Sequence, residues 1–395
     1  MADIGNLRAL AVTKQSAVGT YNGPTNSDLI PVSGLSWTPN AIQTDNPEYT
    51  GSIHRPGPII LGATYDVQFT ILLRGPGGAS PPSANAFIPG RVLQAFGFAE
   101  TVLSTAVPAS AEALGTGSTT TAAKLGTSAS STADAYKGYA LKLPALGTSP
   151  LDLTMIKAYS AAKLADIAET AGSTISGNYQ IPKQLLYTMS ASGTPPSLSL
   201  SLWEGARRWN FMDMVPTAGK IVMPTSSRDS QDYGRLEVTM TGDLYSYIDE
   251  SCPSIPALGA IPPFKGGKMH VANLAMGGSG LSLDLGMRAG FPSNPNKASG
   301  SDAAQLLETR RTLTLDLNQC AKSYLDLKAL ADGQGTYPVQ ALYGLSAGNF
   351  IGFVATDARL NFQKTNEGGD FVTTTGEAYV DSADKTIGLS FVYYT

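Results

Sequence analysis

Residues 64–73 carry a period of two. Val67, Phe69 and Ile71 alternate with Gln68 and Thr70, as in a strand buried on one face. After a Gly/Pro/Ser break the period lengthens. Ile88, Val92, Leu93 and Phe96 then share one side of a short helix over 87–98, with Asn85 as its expected cap, Pro89 in its first turn and Gly97 as its stop. A Pro/Gly loop from Asp45-Asn46-Pro47 to Arg55-Pro56-Gly57-Pro58 precedes the alternating strand, and a further strand over 29–38, ending near Trp37, precedes the loop. A sheet with one helix across it buries a single apolar interface. The 42 Gly and 25 Pro among 395 residues fit many short strands joined by turns, not a helical bundle. That length allows two or three domains.

The same order of signals occurs twice. Leu198, Leu200 and Leu202 alternate with Ser197, Ser199 and Ser201, and run on through Trp203-Glu204-Gly205 to Trp209 and Phe211. Strands at 220–223 and 235–241 flank a polar loop. From residue 265 onward, strands at 269–274 and 281–288 lead to a polar loop, and then Leu313, Leu315 and Leu317 alternate with Thr312, Thr314 and Asp316. A helix follows, with Cys320, Tyr324, Leu327 and Ala331 on one stripe. Tyr343-Gly344 to Phe350 echoes Trp203 to Phe211, Arg359 to Phe362 echoes Lys220 to Met223, and Gly376 to Val380 echoes Gly234 to Val238. A strand over 387–394 closes the chain. Repeated order can also arise from common β-sandwich grammar.

The expected fold is mainly β: two tandem β-sandwich or barrel modules, each with one flanking α-helix, plus an inserted α+β region. Residues 1–100 and 195–256 make the first module, 257–265 a stiff linker and 266–395 the second. The inserted region, 101–194, opens as an Ala/Ser/Thr/Gly mixture over 101–132, which predicts loose order. Strands are expected at 139–143, 151–156 and 185–189, and a helix at 159–170 from Leu164, Ile167 and Ala168.

Composition excludes several functions. The net charge is -4, and gripping phosphate needs clustered cations. The pairs Arg207-Arg208 and Arg310-Arg311 are better read as strand ends or intersubunit contacts. Cys252 and Cys320 lack a CxxC spacing, which argues against a disulfide framework and a zinc site. His54 and His270 are far apart, and no Gly-x-Ser-x-Gly elbow, P-loop or HExxH is expected. Nothing in the spacing of Asp213, Asp243 and Asp249 selects a glycosidase pair. No enzyme, cofactor or metal is expected. The first residues lack a basic-then-apolar leader and no apolar run has spanning length, so the chain is expected to stay in the cytosol until assembled, without a membrane.

The run from Leu10-Ala11-Val12 to Gly19-Thr20-Tyr21, the loop ending in Arg55-Pro56-Gly57, residues 62–73, and 93–100 with Phe96-Gly97-Phe98-Ala99-Glu100 together resemble the tail tube (major tail) proteins of long-tailed bacteriophages. The likeness is clearest over about the first hundred residues. It implies a structural virion protein, made in the bacterial cytoplasm, that polymerises into helically stacked rings forming a channel for genome delivery. Two modules per chain imply a trimeric ring with pseudo-sixfold symmetry; a single tube-like module would need a hexamer. Implied partners are sister copies, tail terminator and tail-tip proteins, and in the lumen a tape-measure protein and then genomic DNA without sequence-specific binding. Ile53, His54, Arg55, Pro56, Ile59 and Ile60 are the implied inter-ring loop. Leu7, Leu10 and Val12 belong to an N-terminal arm set against a neighbour. Asp66, Glu237, Asp284 and Asp316 are candidates to face the lumen and repel phosphate; the plainer reading is ordinary solvent-facing strand positions. The 101–194 region is expected outside the tube, where it cannot narrow the bore. A capsid decoration protein or an adhesin is the alternative.

Overall fold

The computed structural model describes residues 7–48, 57–148, 151–190, 194–225, 232–255, 259–294, 302, 305–309, 311–318, 324–344, 347–367, 372–380, 383 and 385–393. The fold is mainly β, with large antiparallel sheets, one of them a half-barrel. The first part of the chain forms β1 (Arg8–Lys14), β2 (Leu29–Ile30), β3 (Ser33–Thr44), β4 (Ile59–Leu72), α1 (Ile88–Ala95) and β5 (Phe98–Leu103). Phe87, not Asn85, takes the N-cap position of α1, with Pro89 in its first turn. Gly97, at φ 85°, lets the chain turn directly into β5.

The inserted region forms β6 (Val107–Ala113), β7 (Ala122–Lys124), β8 (Ala140–Lys142), β9 (Leu153–Tyr159), β10 (Leu164–Ile167) and β11 (Asn178–Ile181), which make one six-stranded sheet. The expected α+β character is therefore corrected: among its described residues the insert holds strands and one 3-10 turn, Pro144–Leu146, but no α-helix. The helix expected at 159–170 is the end of β9, a turn through Lys163 at φ 61°, and β10. Ala165 and Ile167 are the buried pair there, a period of two that the apolar residues at 164, 167 and 168 masked. The low-complexity start is ordered because its small polar residues are hydrogen-bonded. Glu112 accepts from the Thr127 hydroxyl and amide (2.8 and 2.9 Å), the Ser128 amide (3.2 Å) and the Tyr179 hydroxyl (3.0 Å). The Thr127 hydroxyl, and then Tyr179 and the two amides, hold the Glu112 carboxyl down at about 2, against burial pushing it up.

The chain then forms β12 (Lys183–Met189), β13 (Leu198–Glu204), β14 (Arg207–Pro224) and β15 (Arg235–Asp249). The last part forms β16 (Lys268–Val271), β17 (Leu274–Ala275), β18 (Gly278–Asp284), β19 (Met287–Gly290), β20 (Gln305–Thr309), β21 (Arg311–Asn318), α2 (Tyr324–Asp332), β22 (Thr336–Tyr343), β23 (Phe350–Glu367), β24 (Val372–Val380) and β25 (Ile387–Tyr393). Because β5 and β12 pair with each other, and β12 with β25, both belong to the main sheet system and not to the insert.

Two units with one topology make up the body. The pairings β1–β13, β3–β4, β4–β15, β13–β14 and β14–β15 recur as β16–β22, β18–β21, β21–β24, β22–β23 and β23–β24. The hairpins agree in detail. Fourteen residues separate Thr44 from Ile59 and Gly290 from Gln305. The register slips between Ile42 and Gln43 in one, and at the corresponding place, between Arg288 and Ala289, in the other.

The units do not stand apart. β14 pairs antiparallel with β18, from Lys220↔Asp284 to Pro224↔Gly280, and one core runs through both units, from Phe69 and Phe211 to Leu315 and Phe353. The chain leading into the stiff linker, and the described end of the linker itself, are packed down. Cys252 and Ile255 lie against the Trp203 cluster, and the Phe264 ring meets that of Tyr343 edge-on at 4.1 Å.

Phe69 is 2 % exposed, and Phe69→Ala is expected to cost the chain about 3–5 kcal/mol in denaturant titration. Glu112→Ala is expected to speed amide exchange at Thr127 and Ser128, with the exchange of β14 and β15 unchanged.

Candidate assembly surface

Eight strands from both units form one continuous antiparallel strip in the order β3-β4-β15-β14-β18-β21-β24-β23. Alternation decides its two faces. Val67, Phe69, Ile71, Ile221, Leu236, Val238, Leu283, Leu313 and Leu315 point into the core. Their neighbours form an open polar face. One row crosses the strip: Thr70, Glu237, Lys220, Asp284, Thr312, Tyr379 and Arg359 lie opposite one another on successive strands. A depression in this face is lined by Gln68, Thr70, Ala218, Lys220, Glu237 and Asp284 among others.

Asp66, Glu237, Asp284 and Asp316 all lie on this face. Asp284 and Asp316 are exposed, Asp66 and Glu237 half-buried. Glu377 joins them, and Lys220, Arg235 and Arg359 are interspersed, so the face is mixed in sign. Asp66 accepts from the Asn40 amide (2.6 Å) and the Thr241 hydroxyl, Glu237 is paired with Arg235 Nε (2.8 Å), and Asp284 accepts from the Gly286 amide (2.8 Å).

Neither end of the strip carries a further strand, although α2 lies beside β23. Among the described residues β3 pairs only with β4, and β23 beyond Arg359 pairs only with β24. Each such edge presents a row of backbone donors and acceptors able to template another strand. From each unit a long hairpin also extends, β3–β4 and β19–β20. Residues 36 and 38–41 of the first are exposed, and Ile59 at the start of β4 is 44 % exposed. Ile53, His54, Arg55 and Pro56 lie outside the described residues; Ile60 is in β4. The second hairpin escaped the sequence reading, although its loop length matches the first.

Leu10 and Val12 are not an arm for a neighbour, which corrects that expectation. β1 is clamped between β13 and β2, and both side chains are fully buried in their own chain's core; only Leu7 is half-exposed. The residues after β1 also fold back, with the Asn22 amide donating to Ser199 (3.2 Å) and Tyr21 bonded to Ser201 (3.2 Å). Arg208 is spent on Glu250 (3.0 Å) and on the Trp203 ring face, and Arg311 is buried in β21.

The insert covers the opposite side. Its Ala140, Leu153, Met155 and Ala168 pack on Leu342, Phe350, Val354 and Val392, whose sheet neighbours face the core. A buried polar clip fixes it there. Lys268 Nζ donates to both oxygens of Glu169 (3.0 and 2.9 Å), and His270 Nε2 lies 3.6 Å from Glu169. Gln340 Oε1 accepts from the Met155 amide (3.0 Å), so its amide nitrogen faces His270 Nδ1 (3.1 Å). Nδ1 is thus the acceptor, and neutral His270 carries its proton on Nε2, toward Glu169. Burial, with Lys268 adding to it, pushes His270 below its ordinary value against the pull of Glu169.

Other chemical candidates do not converge. Asp213 is buried and accepts from the Gly19 amide (2.7 Å). Residues 344–348 match the Gly-x-Ser-x-Gly spacing, but they join β22 to β23, whereas a nucleophile elbow leads from strand to helix. Among the described residues no group of three or more His, Cys, Asp or Glu could hold a metal ion, and no helix is long and apolar enough to cross a membrane. No family model matches the sequence, and no curated protein matches it.

Glu169→Gln strands Lys268 without its counter-charge and is expected to cost about 3–5 kcal/mol. Since folded His270 resists a proton that the unfolded chain accepts near 6.5, stability is expected to fall as pH drops below that value. A His270→Gln chain should show a flatter decline between pH 7 and 5 in thermal melts.

Proposed function

We propose that this chain is the subunit of a bacteriophage tail tube, a non-enzymatic structural protein whose copies close into rings that stack into a channel for genome delivery. The observation that supports this most is the strip of two like units that ends on both sides in strands without a further strand partner and has a polar open face. Heterologous contacts around an axis close a ring, and contacts along it give a filament.

Size favours three chains per ring. Closing one chain's eight strands would leave room only for side chains, and about 16–18 strands give a modest aqueous pore. Three copies supply roughly 24 strands; at ~4.8 Å spacing and ~40° tilt the backbone diameter is about 45–50 Å. Subtracting side chains leaves a bore wide enough for a DNA duplex. Units rather than chains then set the symmetry, which is pseudo-sixfold. The polar face lines the bore, its interspersed charges offering no cluster of cations for phosphate to settle on. The insert lies on the outside, and the paired hairpins reach toward the adjacent ring. Tape-measure protein and then DNA fill the bore, and terminator and tip proteins close the ends.

One observation favours a second reading. Tyr247 is 69 % exposed and extends a ring stack through Trp209 to Trp37, with ring centres 5.4 and 4.6 Å apart. Such a ring stack suits an adhesin that stacks on a glycan; in the tube it would meet another subunit.

Negative-stain images and sedimentation of concentrated protein are expected to show rings or tubes; monomers that bind glycan would favour the adhesin. In a chain with Cys252→Ser and Cys320→Ser, a bulky maleimide is expected to label Ala161→Cys on assembled tubes but not Lys220→Cys. Both sites should react in the unassembled chain, and easy labelling of Lys220→Cys on tubes would turn the polar face outward.

A further inference from the structure

The internal repeat contains a copy of the joint that ring closure needs. Within the chain, the fourth strand of the first unit, β14, pairs with the first strand of the second, β18. The counterparts of these two strands are β23 and β3, the two strands that end the strip without a further strand partner. We infer that β23 of one copy pairs antiparallel with β3 of the next, with Lys364 opposite Thr38. This assignment rests on the tube reading.

The register follows from pairings alone. The hairpins superpose Thr44 on Gly290 and Ile59 on Gln305, bulges included, so Thr38 corresponds to Asp284 and Thr70 to Asp316. Thr70 is opposite Glu237, and Asp316 is opposite Thr375; Glu237 and Thr375 therefore correspond. Their partners on the next strand are Lys220 and Lys364. Since Lys220 is opposite Asp284, Lys364 falls opposite Thr38. Strand directions alternate throughout the strip, so the new pair is antiparallel, as the internal joint is. Thr38 lies on the open side with Asp66, its neighbour on β4. The joint has a natural stop. The Leu285 amide donates to the Gly219 carbonyl (2.9 Å) beyond the internal joint, and Pro39, its counterpart, has no N–H to give. At the other end the Leu35 carbonyl already accepts from Arg8 (2.6 Å), which leaves 36–38 with 364–366 as the central span. A joint between copies is thus shorter than the one within the chain, and rings should come apart along β3 before the strip itself opens.

Amide exchange by mass spectrometry, on unassembled and assembled protein, tests the strands; a cysteine pair tests the register. On assembly, peptides covering 36–38 and 362–367 are expected to slow by about tenfold or more, whereas 220–224 and 280–284 are slow in both states. Thr38→Cys with Lys364→Cys, in the Cys252→Ser and Cys320→Ser chain, is expected to oxidise to multimers ending in a closed species on denaturing gels. Facing residues on paired strands bring their Cβ atoms about 4.5–5.5 Å apart, close to disulfide reach. Tubes in which both edges still exchange fast overturn the strand assignment and leave the tube reading standing. Cross-linking through Ser36→Cys or Asn40→Cys in place of Thr38→Cys overturns the register. A chain that forms no ring at any concentration overturns the tube reading and this joint with it.

Discussion

Unpaired backbone is the constraint on which the rest of the structure turns. The middle of the eight-stranded strip is paired on both sides, and among the described residues the backbone without a strand partner on one side lies along β3, the far half of β23, residues 59–64 of β4 and residues 243–249 of β15. Natural sheets usually blunt such edges. Pro39 limits the pairing of one of them without abolishing it.

The two faces of the strip divide the remaining tasks. The core face is continuous across both units, which ties the β14–β18 joint to the packing of Ile221, Leu283 and Leu313 and makes a hinge between units unfavourable. The open face is polar and mixed in sign. On the far side of the core, the insert is held by apolar contacts with Phe350 and Val354 and by the Glu169–Lys268–His270–Gln340 clip. A buried ion pair of this kind adds little net stability but fixes one docking geometry, since any other would leave a charge buried and unmet. The bulk of the insert is thereby kept from the polar face.

Much of the fold was legible because alternation survives wherever one face of a strand is wet. Val67 to Ile71 and Leu313 to Leu317 behave as their period indicates, and the mainly β class follows. The leucines of β13 also mark a strand, but its serines are buried too. Ser199 and Ser201 lie beneath Tyr21 and Asn22, a cover supplied from far away in the chain. The repeat was harder to align. Matching glycines set Gly376 against Gly234, yet the pairing makes Val238 its counterpart: Val238 lies opposite Phe69 and Gly219, Gly376 opposite Leu315 and Phe362. The larger side chain of the pair has changed strands, so residue identity misleads where register does not. The order of the insert was hidden for another reason: small hydroxyl residues read as disorder unless an anchor such as Glu112 is known to gather them. The four acids could be named from strand positions, but that they share one face depends on strand neighbours far apart in sequence.

The central claim is that sister copies complete these edges around an open bore. Averaged end-on images of the assembled protein test it most directly. Three chains appearing as six like lobes around a through-going channel are the result expected. Six chains per ring, or a compact particle with no channel and both edges capped within each copy, would contradict it.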